Sequence, residues 1–338
     1  MKQITQFFRV IFILIGYISI GQGLNDGPYV FIEANGLIKK SIIDGKIVSE
    51  ALLLTAYDTI YTPEVSVFSG VEEIAALSDI HGQYDLAVEI LINNKIIDQE
   101  LNWSFGKGHL VIVGDIFDRG PKVNEMLWLI YKLEQQAEDK GGHLHFLLGN
   151  HEYMVLHKDL RYVHDKYLEV GTLLNLEYDE MYDKSTVLGR WLRSKSTILR
   201  LNNHVFVHGG ISQDFLSVIG FNIESINASM RASIDISKAE LKSTNFYTNY
   251  YGTTGPIWYR GYFTDNLEDA VIDDVLSITN SEHIVVGHCS FDEVIRVFDG
   301  KIYGVDSSIK KGLYGELLFI ENGVYYRGTK DGTRKAFE

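Results

Sequence analysis

GDIFDRG (Gly114–Gly120) and GNHE (Gly149–Glu152) are the two blocks whose reading decides the fold. An apolar run precedes each, HLVIV before the first and HLHFLL before the second, and each run reads as a buried strand. Both blocks therefore stand at the C-terminal ends of strands, where open α/β sheets build their sites. Between them, Pro121 is followed by apolar residues at Val123, Met126, Leu127, Ile130 and Leu133. That is helical spacing, and Gly141-Gly142 supplies the C-cap. The unit is strand, loop, helix, strand, with Asp115, Asp118, Asn150 and His151 at its top. Carboxylate, amide and imidazole are the groups that a pair of divalent cations and a proton donor require.

Working outward, VEEIAALSDIHGQYDLAVEILINN places Asp79 and His81 just past the strand IAAL and before a second helix. Side chains two apart on an extended chain point the same way, which lets this pair grip one ion. Taken alone, D-x-H reads equally as a capping Asp beside a surface His. Downstream, HVFVHGGIS ends a strand in His208 and HIVVGHCSF ends another in His288. Five strand ends thus carry ligand-type residues, a recurrence that marks a metal or catalytic site. In GPIWYRGYF, Arg260 has few charges around it and offers a planar fork of donors suited to phosphate. Residues 153–203 read as a helical insertion rich in aromatics and charges, with Arg161, His164 and Lys166 as candidates to face a substrate. EVIRVFDG, KIYGVDSS, YGELLFI and GVYYRG read as closing strands.

The 338 residues are 46% apolar, enough for a large core, and the net charge is −14. An acidic chain is a poor unassisted partner for nucleic acid or an anionic membrane surface. Bound divalent cations would still make one site locally positive. Lys2 and Arg9, then VIFILIGYISIG, then Gly21 and Gly23 have the form of a secretory signal peptide over residues 1–23, with a signal anchor as the alternative. Its removal takes away two basic residues and no acid, which leaves −16, and implies a periplasmic or secreted protein with no stable membrane association. The single Cys289 excludes an intrachain disulfide. Residues 24–72 read as a small meander of three strands with turns at Asn35-Gly36 and Asp44-Gly45.

DIHG, GDIFDRG, GNHE, HGG and GH stand in the order and approximate spacing of the calcineurin-like metallophosphoesterases, and over about Ser78 to Asp306 the chain resembles their phosphoprotein phosphatase branch. LRYVHDKY, WYRGY and VDSS are similar to the bacterial-type group named after the Shewanella-like phosphatases, and the SAPNYC segment of the eukaryotic serine/threonine enzymes is absent. The resemblance implies an α/β fold: a two-sheet β-sandwich flanked by helices over residues 73–338, with two metal ions at one edge. Asp79, His81 and Asp115 would hold the first ion, with Asp115 bridging to a second held by Asn150, His208 and His288. Manganese, iron or zinc would suit that donor set. His151 would protonate the leaving oxygen with Asp118 holding its tautomer, and Arg119 and Arg260 would bind phosphate oxygens.

The chain departs from the pattern at Ser78, where Gly is usual, at Cys289, where Thr is common, and at Ser290, where wider relatives carry another metal histidine. The expected activity is metal-dependent hydrolysis of a phosphorylated protein at serine/threonine or tyrosine. Hydrolysis of small phosphate esters or dinucleoside polyphosphates is the alternative, and a non-catalytic metal-binding scaffold is the third reading.

Overall fold

The computed structural model describes residues 23–337, so the leader expected over 1–23 lies outside the described residues but for Gly23. Three antiparallel strands come first: β1 (Asp26–Glu33), β2 (Gly36–Ile43) and β3 (Lys46–Leu52). Asp44 and Gly45 both have positive φ, as a two-residue hairpin turn requires. The first turn differs from expectation by one residue: Glu33 pairs with Gly36, so Ala34 and Asn35 form the loop and Gly36 opens β2. This small sheet is docked by the Trp128 indole N–H on the Pro28 carbonyl (2.8 Å) and by a Lys166–Asp26 ion pair (2.7 Å).

Two six-stranded sheets follow. One has the order β15-β14-β13-β5-β6-β7, built from β5 (Glu73–Leu77), β6 (His109–Ile112), β7 (His143–Phe146), β13 (Glu316–Glu321), β14 (Val324–Thr329) and β15 (Arg334–Ala336). The other has the order β11-β12-β10-β9-β8-β4, from β4 (Val67–Phe68), β8 (Ile198–Leu201), β9 (His204–Val207), β10 (His283–Val286), β11 (Ile295–Val297) and β12 (Ile302–Gly304). In each sheet the site-bearing strands are parallel to one another.

The continuous apolar runs have a direct cause: each central strand is buried on both faces. Along β5, Ile74 and Ala76 enter the layer between the sheets while Ala75 and Leu77 face the helices. Val111, Phe206 and Val285 occupy the same inner layer from β6, β9 and β10. Outside lie α1 (Tyr84–Asn93), α2 (Val123–Asp139), α3 (Asn150–Leu156), α4 (Asp165–Leu174) and α5 (Val187–Leu192), with six more helices between residues 213 and 279. The α2 apolar stripe is buried along its length, and Gly141 at positive φ ends it. The architecture is the helix-flanked two-sheet sandwich that the motifs imply.

The stretch 153–203 is helical only in part. VLGRWLRSKSTIL stops being helix at Leu192, and Ile198–Leu201 is a strand of the second sheet paired with β9. Among the described residues no helix is long and apolar enough to cross a membrane.

Candidate active site

The candidate residues meet where the C-terminal ends of the parallel strands of both sheets face one another. Asp79 and His81 follow β5, Asp115, Asp118 and Arg119 follow β6, and Asn150 and His151 open α3 just past β7. His208 and His288 arrive from β9 and β10. The approach is close because Gly114 and Gly149 touch: a Cβ on Gly149 would overlap the Asp115 carboxylate.

Asp115 is central. Its Oδ1 accepts the His151 backbone N–H (3.0 Å), and its Oδ2 lies 3.2 Å from His208 Nε2 and 3.6 Å from His81 Nε2. His81 donates Nδ1–H to the Phe117 carbonyl (2.7 Å), which leaves a buried Nε2 with no partner, 3.7 Å from Asp79 Oδ1. Asp79 Oδ2 meanwhile accepts the His288 backbone N–H (2.9 Å), and His288 Nε2 is also buried without a partner. His208 donates from Nδ1 to Val113 O (2.7 Å) and faces Asn150 Oδ1 at 2.9 Å. All six expected ligands therefore converge, and the orphaned nitrogens need a partner there.

The convergence of Asp79 and His81 has a different cause from the one read off the sequence. Both residues have positive φ, so they meet from a left-handed loop and not along an extended strand.

Two groups of side chains come near enough to share a cation, His81/Asp115/His151 and Asp115/His208/His288. The first holds His151 where Asp79 was expected. His151 Nδ1, however, is committed to Asp118 Oδ2 at 2.5 Å, and its Nε2 lies 3.4 Å from an Arg119 nitrogen. These contacts orient the ring, and Asp79 Oδ1 is turned toward His81.

Electrostatics support the cluster. Burial opposes charge throughout, but on Asp115 the neighbouring His208 and His151 outweigh it and hold the carboxyl well below the usual range. Burial likewise opposes a charged His208, yet Asp115 lifts its pKa to about 10. Burial, and then charged His208, depress His288 to about 3. Asp115 and Asp118 raise His151 above an ordinary imidazole against the effect of burial. The same carboxylate that favours charge on His208 would favour a bound cation there.

Around this core the other candidates separate. Arg119 and Arg260 are exposed at the rim, and Arg260 spends one arm on the His288 carbonyl (3.0 Å) with Cys289 Sγ at 3.8 Å. Of the insertion's candidates only Arg161 stays at the rim. His164 caps α4, and Lys166 is bound to Asp26 and Glu125.

Four contributors carried no role in the sequence reading. Glu152 is fully buried and accepts four backbone N–H groups: Asp115 (2.8 Å) and Gly149 (2.7 Å) on one oxygen, Ile116 (2.7 Å) and Phe117 (3.1 Å) on the other. Its position three residues into α3 is the acidic place of a capping box, the one signal that could have found it. The Ser78 hydroxyl lies 2.7 Å from Asp79 Oδ2, so replacing Gly there adds a side-chain contact to the carboxylate. Asp306 is buried and bound by Ser290 (2.5 Å) and Lys310 (3.2 Å), which uses the Ser290 hydroxyl structurally. Tyr162 stands over His151, with 5.3 Å between ring centroids.

Residues 73–307 match the calcineurin-like phosphoesterase family. The chain belongs to that family. This phosphoesterase is 41% identical to a cold-active protein-tyrosine phosphatase from a psychrophilic Shewanella species, over 93% of this chain and 99% of that one, with a TM-score of 0.88. It is 25% identical to Shewanella-like protein phosphatase 1 of Plasmodium berghei (83% of this chain, 75% of the relative) and 24% identical to Shewanella-like protein phosphatase 2 of Arabidopsis thaliana (72% and 73%). The family uses a dinuclear metal site, and this phosphoesterase has the ligand groups for one. A cleft of about 750 Å³ between α2, β7 and residues 55–65 is not that site: its Glu64 and Glu134 are already bound to Lys195.

Proposed function

We propose that this phosphoesterase hydrolyses phosphomonoesters on proteins, with phosphotyrosine as the preferred class, outside the cytoplasm. The observation that carries the hydrolytic reading is the His151–Asp118 pair at 2.5 Å, set directly beside the cluster of Asp79, His81, Asp115, Asn150, His208 and His288. The 41% identical protein-tyrosine phosphatase supports the substrate class.

Asp79, His81 and Asp115 would hold one cation, and Asp115, Asn150, His208 and His288 the other, in keeping with the unpartnered Nε2 atoms of His81 and His288. Manganese, iron and zinc all fit oxygen and imidazole donors. When bound, the cations supply Lewis acidity toward phosphoryl oxygens and acidify the attacking water. His151 donates its Nε2 proton to the departing oxygen, while Asp118 fixes the ring through Nδ1 and stabilises its charged form. Arg119 and Arg260 reach the outer phosphate oxygens from the rim, where their charge opposes the negative charge of the transition state.

The test is a rate comparison on manganese-loaded protein, with one peptide carrying phosphoserine, phosphothreonine or phosphotyrosine, an aryl phosphate and a dinucleoside polyphosphate. Turnover led by the phosphotyrosine peptide, abolished by chelation and restored by manganese, is expected. Turnover confined to small esters or dinucleoside polyphosphates would replace the protein substrate, and full activity in metal-free protein would refute the mechanism.

A further inference from the structure

The groups that touch the reacting phosphate lie at the bottom of the site: Asp115 and His151 are buried. Tyr162 stands above them and is 44% exposed, so much of its ring faces solvent. Its position is fixed from several sides. The ring is tilted 49° against the His151 ring at 5.3 Å, and the guanidinium carbons of Arg119 and Arg161 each lie 5.5 Å from its centroid. The Tyr162 carbonyl accepts the Arg119 backbone N–H (2.8 Å). Arg161 is itself clamped on both carboxylate oxygens of Asp159 (2.7 and 2.9 Å), and Asp159 is tied to Lys238 at 2.6 Å. Residues 159–162 are therefore a braced wall, and an exposed large aromatic at its end is poorly explained by core packing.

Building on the acid role of His151, we propose that Tyr162 determines specificity for aryl over alkyl phosphate esters. The leaving oxygen must come within hydrogen-bond reach, roughly 3 Å, of His151 Nε2 to receive its proton. In phosphotyrosine that oxygen is bonded directly to an aromatic ring. Because Tyr162 packs directly on the His151 ring, a leaving-group ring held at His151 would have an aromatic neighbour of the kind that pairs at roughly 4.5–7 Å. A phosphoserine oxygen carries only a methylene there, which leaves the exposed Tyr162 surface without a partner. Trp258 stacks edge-on against His288 at 5.4 Å, whereas the exposed Tyr162 ring packs on the acid itself. Part of the exposed tyrosine surface is thus a contact for the leaving group, which explains its place beside the acid.

The test uses the full manganese-loaded chain with Tyr162→Ala, Tyr162→Leu and Tyr162→Phe, and reads kcat/KM for phosphotyrosine and phosphoserine in one peptide sequence. The phosphotyrosine-to-phosphoserine ratio is expected to fall roughly three- to tenfold in the Ala and Leu variants. Phe, which keeps the ring, should retain the wild-type ratio. Binding of phenylphosphonate and methylphosphonate, neither of which is hydrolysed, is measured in parallel, and only phenylphosphonate should weaken. An unchanged ratio in both Ala and Leu, or equal loss for both phosphonates, overturns the assignment. If the wild type turns over no peptide the protein-phosphatase reading fails, and the phosphonate pair alone then decides whether Tyr162 reads an aryl group.

Discussion

Replacing Glu152 with Gln probes how the two motif loops are held. The carboxylate spans them, taking N–H groups from Gly149 on one side and from Asp115, Ile116 and Phe117 on the other. All four contacts need an acceptor, and each oxygen already serves two donors. Glutamine is nearly isosteric but offers one acceptor oxygen, and its NH₂ would face two backbone N–H groups. Each buried donor left unsatisfied costs about 1–3 kcal/mol, so the substitution should destabilise the protein by about 2–6 kcal/mol. Equilibrium urea unfolding of the metal-free protein, followed by tryptophan fluorescence and far-UV circular dichroism, measures the loss. Manganese affinity should fall as well, since Asp115 loses one of its two ties to the start of α3, the other being its Oδ1 on the His151 N–H. A change under about 1 kcal/mol with unaltered manganese affinity would refute the view that this carboxylate sets the ligand geometry.

Three further outcomes follow from the structure. His151→Asn, with metal content verified as unchanged, should lower kcat on the order of 10²-fold, and an unaltered rate in steady-state assays would remove His151 from the acid role. Burial, and then the stacked His283, hold the His204 pKa at about 3 against an ordinary 6.5, so the unfolded chain takes up a proton there before the folded one does. Stability should therefore fall as pH drops from 6.5 toward 3, by about 2 kcal/mol at pH 5 from this ring; His204→Gln should flatten that slope in thermal melts across the range, and an identical slope would be evidence against it. Lys195 is buried between Glu64 and Glu134, so Lys195→Ala strands two carboxylates and should cost about 3–5 kcal/mol in urea unfolding; a loss below 1 kcal/mol would show that the pair is solvated.

The parts of the site legible in the sequence are those that repeat a simple rule: an apolar run followed at once by a ligand-type residue. His208 and His288 stand out that way although their strands end 79 positions apart, at Val207 and Val286, because burial on both faces makes β9 and β10 unmistakable. Glu152 closes GNHE without announcing a role, since a carboxylate serving backbone donors has no pattern beyond its place at the third helical position. Tyr162 is hidden in the sequence for a related reason. One aromatic among charges reads as core, and its exposure depends on the brace between Asp159 and Lys238, which joins segments far apart in sequence. Strand β8 was hidden because its pairing to β9, and not its local composition, decides between helix and strand.

The backbone at the site explains why residue types could be read there while geometry could not. Asp79, His81, Asp115, Asp118, Arg119 and His288 all have φ between 46° and 72°, so six of the ten candidate residues occupy the left-handed region. Such a conformation costs an L-residue roughly 1–2 kcal/mol, somewhat less for Asp and His than for Arg. Five of the six are Asp or His, so the summed strain lies near the lower end, about 6 kcal/mol, which is comparable to the net stability of a marginal domain. It persists because the loops hold one another. His81 N–H is bound by the Asp115 carbonyl (3.0 Å), Asp79 N–H by Gly114 (3.1 Å), Arg119 N–H by Tyr162 (2.8 Å) and His288 N–H by the Asp79 carboxylate (2.9 Å). Four of the six strained residues thus have their backbone N–H held by a neighbouring segment, so these loops take their shape together. The ligand set is thus preorganised by the meeting of the two sheets, and a cation entering it meets donors whose positions have already been fixed by folding.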